Sequence, residues 1–96
     1  MQIILHPLAQ TELVEAALFY EERAAGLGED FLQDFEKTVA RISEAPEAGA
    51  PMGDTIRGAL FKRFPFSLLY RHLENRLRIL AVMHHRRRPG YWKRRI

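Results

Sequence analysis

Two strand-forming runs, residues 66–73 (Phe-Ser-Leu-Leu-Tyr-Arg-His-Leu) and 76–84 (Arg-Leu-Arg-Ile-Leu-Ala-Val-Met-His), are separated only by Glu74-Asn75. A link that short predicts an antiparallel hairpin, and a two-residue loop fixes which side chains share a face. In this register Leu73 opposes Arg76, Arg71 opposes Arg78 and Leu69 opposes Leu80. One face then gathers Phe66, Leu68, Tyr70 and His72 with Leu77, Ile79, Ala81 and Met83, and is expected to be the core. The other mixes Leu69, Leu80 and Val82 with Arg71, Arg76, Arg78 and His84, and is expected to be exposed at one end at least. Two arginines directly opposite each other repel by roughly a few tenths of a kcal/mol when exposed. An anionic ligand or an acidic partner offsets that cost.

Upstream, Gln2-Ile3-Ile4-Leu5 reads as a first strand stopped at His6-Pro7, because proline donates no ladder hydrogen bond. Ala9, Leu13, Ala16 or Ala17, Tyr20 and Ala24 recur at helical spacing behind Pro7, which predicts a helix over 8–24. Gly26 and Gly28 interrupt that pattern, and Glu29 and Asp30 place negative charge where a second helix starts. Phe31, Phe35, Val39 and Ile42 form its apolar stripe, ended by Pro46. Residues 45–54, rich in Pro and Gly, read as a loop, and residues 56–64 as a strand that turns at Phe64-Pro65-Phe66. The expected fold is α+β, with an N-terminal strand, a helical hairpin and then an antiparallel β-sheet. It forms one domain over residues 1–96, since neither half alone buries its apolar faces.

Charge is divided along the chain. Residues 1–48 hold ten Asp and Glu against three Lys and Arg, whereas residues 49–96 hold two against twelve. The basic half predicts an anionic partner. Its candidate contacts are Arg71, Arg76 and Arg78 on the sheet, continued by Arg86, Arg87, Arg88, Lys93 and Arg94 in the tail. Tyr91 and Trp92 lie among the tail cations, a mixture suited to single-stranded nucleic acid, where cations neutralise phosphates and aromatic rings stack on bases. Alternatively the two aromatics fold back after Pro89-Gly90 and plug the end of the sheet, with Trp92 in a structural role.

Other chemistry has little support. The chain has no cysteine, so it forms no disulfide or thiolate metal site, which fits a reducing cytosol. His84 and His85 are adjacent, point to opposite faces of a strand and do not easily chelate one ion. No metal or cofactor is expected. There is no Gly-x-Ser-x-Gly elbow, P-loop or dinucleotide fingerprint. Acid–base cleavage of RNA needs a proton acceptor, a proton donor and cations around the phosphate. His84, Tyr91, Arg71 and Arg87 could supply them, although a surface built only for binding would contain the same residues. The N-terminus lacks the basic segment of a signal peptide, and no apolar run approaches the ~20 residues of a membrane span. A cytoplasmic location away from membranes is expected.

Several motifs stand in a telling order: a first strand, a helical hairpin with Tyr20-x-x-x-Ala24 and Phe31, Phe64-Pro65-Phe66-x-x-x-Tyr70, and Val82-x-His84-x-x-Arg87-x-Pro89-x-Tyr91-Trp92-x-x-Arg95. In that order they resemble the ParE/RelE superfamily of type II toxins, nearest to the ParE-like branch often labelled plasmid-stabilisation proteins. The resemblance spans essentially the whole chain and implies a helical hairpin packed on an antiparallel sheet. It also implies a toxin–antitoxin hetero-oligomer, in which the flexible C-terminal segment of a cognate antitoxin wraps the toxin. RelE-like relatives cleave messenger RNA on the ribosome, whereas ParE-like relatives inhibit DNA gyrase. The nearer likeness favours gyrase inhibition by binding. Its alternatives are ribosome-dependent mRNA cleavage, for which His84, Arg87 and Tyr91 match the shared motif, and a decayed toxin that only binds its antitoxin.

Overall fold

Local chemistry sets each element in turn. In the computed structural model, which describes residues 1–96, β1 (Gln2–Leu5) leads into α1 (Pro7–Arg23). His6 caps this helix, its Nδ1 accepting the Leu8 N–H at 3.0 Å, and Pro7 occupies the first turn, where no N–H is needed. The turn into α2 (Leu27–Glu44) is tied by Glu21, whose carboxylate accepts the N–H groups of Gly26 and Gly28. Gly26 adopts a left-handed φ of 87°, and a Cβ on Gly28 would lie 2.5 Å from the Ala17 carbonyl oxygen. Glycine at both positions is what lets the helices close into a hairpin.

A one-turn 3-10 segment (Pro46–Ala48) precedes β2 (Ala50–Pro51), β3 (Arg57–Leu60), β4 (Phe66–Leu73) and β5 (Arg76–His84). The five strands form a single sheet in the order β1-β5-β4-β3-β2. β2 through β5 pair antiparallel, as the α+β reading anticipates, while β1 joins β5 in parallel. Parallel neighbours need a long crossover, and the helical hairpin lies within the chain that connects these two.

Two segments differ from expectation. The loop over 45–54 contains the short edge strand β2, and the strand expected over 56–64 ends at Leu60. The cause of the second difference is Asp34, an acid on the buried face of α2 that is 4% exposed. Its carboxylate accepts the N–H groups of Lys62 (3.1 Å), Arg63 (2.8 Å) and Phe64 (3.1 Å). Donors held this way are withdrawn from the sheet ladder, so the chain leaves β3 and turns back.

The β4–β5 register agrees with the sequence reading at the turn, where Leu73 faces Arg76 and Arg71 faces Arg78. A β-bulge at Leu69/Tyr70 then shifts it, so that Leu69 faces Ala81 rather than Leu80, Leu68 faces Val82 and Phe66 faces His84. One extra residue exchanges the faces beyond it. Val82 therefore packs in the helix-side core, and His84 stands edge-on to Phe66 with ring centroids 5.0 Å apart. Ala81 and Met83 move to the opposite face, and His72, expected in the core, is exposed.

The helix-side core joins Ala9, Phe31, Ile42, Phe61, Phe64, Phe66, Leu68, Tyr70, Leu77, Ile79 and Val82. Leu13, Tyr20, Phe35 and Val39 pack against it, as their spacing anticipates. On the other face Ile56, Leu69, Leu80, Ala81 and Trp92 form a second cluster, so Trp92 plugs the sheet end. No helix is long and apolar enough to cross a membrane.

Replacing Asp34 by Ala leaves three N–H groups without their acceptor, one of them on buried Phe64. The expected cost is about 2–4 kcal/mol, read as a lower urea midpoint with little change in slope. A cost under about 0.5 kcal/mol would contradict this role.

Candidate functional site

The C-terminal end of β5 is where the sheet, the first helix and the basic tail meet. β1 pairs with β5 only as far as Leu5 opposite Ile79, and the His6 N–H donates to the Ile79 carbonyl at 2.8 Å. Beyond that point the edge of β5 is capped by side chains. Glu12 Oε1 accepts the Val82 N–H at 3.0 Å and Arg95 Nη1 at 2.8 Å. Its Oε2 accepts the Tyr91 hydroxyl at 2.7 Å and Arg95 Nη2 at 3.0 Å. Arg95 Nη1 also donates to the Leu80 carbonyl at 3.1 Å. The ion pair is bidentate, with Arg95 9% and Glu12 13% exposed. One carboxylate thus joins α1, the β5 edge and the tail.

This arrangement defines the state of Tyr91. Burial, reinforced by the hydrogen bond and the charge of Glu12, pushes its hydroxyl far above the ordinary 10.0, so it stays a protonated donor. The Arg95 pKa is likewise raised, chiefly by its hydrogen bond to Glu12. Arg87 lies over the Tyr91 ring at 3.9 Å, and Trp92 is 3% exposed.

His84, Arg87 and Tyr91 do converge, lining a cleft of about 120 Å³ with Glu12, Glu15 and Phe66. His84 Nδ1 accepts the Arg86 N–H at 3.0 Å. Burial, then the charges of Arg86 and His85, lower its pKa below the ordinary 6.5. His85 turns elsewhere, with Nε2 3.0 Å from the Ser67 hydroxyl.

The eight candidate cations form two groups rather than one continuous strip. Arg71, Arg76 and Arg78 lie near the hairpin turn, with Arg71 and Arg78 half-buried and the Arg71 Nε buried without a partner. Arg86, Arg87, Arg88, Lys93 and Arg94 lie at the opposite end of β5 and are all exposed. Arg78 and His84 are separated by about 20 Å at the strand rise of ~3.3 Å per residue. Arg87, Arg88, Lys93 and Arg94 line an open bowl of about 680 Å³ with His6 and Leu8.

A third surface was not anticipated from sequence. A largely apolar groove of about 500 Å³ runs between the end of α2 and β3, lined by Arg41, Ile42, Ala45, Ala48, Ala59 and Leu60. Arg41 Nη2 donates to the Leu60 carbonyl at 2.7 Å, while its buried Nη1 has no partner. Glu12 was missed as well, since a helical glutamate reads as solvated. Its signal was position, three residues after Ala9 and four before Ala16 on the apolar stripe.

Glu12→Gln removes the charge that holds Arg95 and is expected to cost about 3 kcal/mol in urea unfolding. A second expectation concerns pH. Folded Tyr91 binds its proton more tightly than unfolded Tyr91, so its contribution is full below about pH 10 and falls as pH rises further. Folded His84 binds its proton less tightly, so stability falls as pH drops below about 6.5. Urea midpoints across pH 5–11 should show both limbs, with Tyr91→Phe making the alkaline limb shallower, since Tyr20 and Tyr70, also raised by burial, contribute to it, and His84→Gln flattening the acid one.

The comparisons with known proteins agree with this architecture. No curated protein sequence matches the chain. A solved structure described as the chromosomal ParDE TA system from P. aeruginosa superposes with a TM-score of 0.69 at 21% identity, covering 88% of this chain and 95% of that one. A family model described as the ParE toxin of type II toxin-antitoxin system, parDE, matches residues 3–89. The chain belongs to the ParE toxin family of type II toxin–antitoxin systems.

Proposed function

We propose that this chain is a cytoplasmic toxin, neutralised by a cognate antitoxin in a hetero-oligomer, that acts by binding and inhibiting DNA gyrase rather than by cutting RNA. The observation that carries the preference is the Tyr91–Glu12 hydrogen bond of 2.7 Å. A tyrosine committed as a donor to a carboxylate does not take a proton from a ribose hydroxyl. The cleft that gathers His84 and Arg87 with it is also lined by Glu12 and Glu15. Glu12 is neutralised there by Arg95, which leaves Glu15 against Arg87, so the cleft offers a phosphodiester no net positive charge.

Antitoxin docking is supported by the groove beside α2. Leu60 is 66% exposed at its rim, and small apolar side chains, Ala45, Ala48 and Ala59, line the rest beside Arg41 and Glu44. An amphipathic segment of the antitoxin suits it, with apolar side chains packed against Leu60 and the alanines.

Controlled induction is expected to arrest growth, and the purified protein to block gyrase supercoiling while messenger RNA stays intact. Ribosome-dependent mRNA cleavage with normal supercoiling would overturn the mode of action, and antitoxin binding without growth arrest would indicate a decayed toxin. Leu60→Glu is expected to keep toxicity and weaken antitoxin rescue, with affinity lower by about tenfold or more. Undiminished rescue would place the antitoxin elsewhere.

A further inference from the structure

The tail carries charge that no acid of the fold pairs. The molecule has three ion pairs, Arg57–Glu47, Arg63–Asp30 and Arg95–Glu12, and none involves Arg86, Arg87, Arg88, Lys93 or Arg94. These five exposed cations sit on a scaffold fixed from both sides. Buried Trp92 and the Arg95–Glu12 pair anchor the C-terminal side, β5 the other, and Gly90 at φ 77° makes the turn between them. Cations held in place lose less freedom when an anion binds than cations on a free tail.

The surroundings narrow the kind of anion. Neither tail aromatic is free to stack, because Trp92 is buried and the Tyr91 ring is covered by Arg87 with its hydroxyl on Glu12. Recognition of single strands relies on such platforms, so the nucleic-acid mode anticipated from sequence lacks its stacking half. The bowl is more polar than the groove at Leu60, with Leu8, Pro89 and the Tyr91 ring as its apolar members among Arg87, Arg88, Lys93 and Arg94. An acidic protein segment would find less to bury there than in the groove. What remains is contact with a dense row of phosphates whose bases are already stacked.

We propose that the tail bowl binds the phosphodiester backbone of duplex DNA, with Arg88, Lys93 and Arg94 as its principal contacts. This deepens the gyrase reading and rests on it: the toxin would grip the DNA on which its target acts. Duplex DNA presents one charge per roughly 1.7 Å of axis, and each neutralised phosphate contributes about 0.9 to the slope of log affinity against log salt.

The test is fluorescence anisotropy of a labelled 20-base-pair duplex with the full chain at several salt concentrations. Arg88→Gln/Lys93→Gln/Arg94→Gln is compared with Arg71→Gln/Arg76→Gln/Arg78→Gln, which removes equal charge from the sheet. The tail variant is expected to bind at least about tenfold more weakly, with a slope lower by about 2 to 3, and the sheet variant to stay near the parent. Equal losses would reduce the effect to net charge and overturn the proposal, as would loss confined to the sheet variant. No duplex binding by the parent at low salt, or tighter binding of single-stranded RNA or poly-glutamate than of duplex, would overturn it too. Supercoiling assays on the same variants separate the two readings. Gyrase inhibition that survives loss of duplex binding removes the bowl from the toxin's action and leaves the gyrase reading, whereas duplex binding without gyrase inhibition removes the gyrase reading.

Discussion

The Glu12 carboxylate holds together parts of the chain that would otherwise meet only loosely. It accepts from the Val82 backbone, the Tyr91 hydroxyl and both terminal nitrogens of Arg95. A single acid on α1 therefore satisfies the sheet edge beyond β1 and anchors a tail whose other cations repel one another. With Glu12 bound, Trp92 can remain in the cluster of Ile56, Leu69, Leu80 and Ala81. Without it, a partly buried guanidinium and a backbone donor would lose their acceptor together. The position of the basic bowl depends on this contact together with buried Trp92 and the turn at Gly90.

The sequence made much of this legible. The hairpin limits, both helices and the apolar stripes of Phe31, Phe35, Val39 and Ile42 were readable because periodicity reports burial directly. The bulge at Leu69/Tyr70 was not. Ile79 and Leu80 are both buried, each in its own cluster, so the apolar pattern of β5 does not reveal which residue is extra. The buried acids were hidden for a different reason. Asp34 and Glu12 work through backbone and tail partners distant in sequence, and only their place on an apolar stripe hinted at it. At the site, the cations and the plugging role of Trp92 were visible, while their division into two groups depended on the length of β5.

The resulting surfaces differ in chemistry and therefore in the partners they suit. The groove at Leu60 is largely apolar, which favours a protein segment and an affinity only weakly sensitive to salt. The tail bowl is cationic, and binding there should weaken steeply as salt rises. The two lie on different parts of the fold, so an antitoxin bound at the groove could leave the bowl uncovered.

The central claim is that the tail aromatics serve the fold and the tail cations serve the partner. Trp92 is the single tryptophan of the chain, so its fluorescence reports without interference on where that side chain sits. Acrylamide quenching of Trp92, with and without saturating duplex DNA, is the most direct measurement. The account predicts blue-shifted emission, weak quenching in the free protein and no change when DNA binds. Emission typical of a water-exposed indole, or strong quenching on addition of DNA, would contradict it.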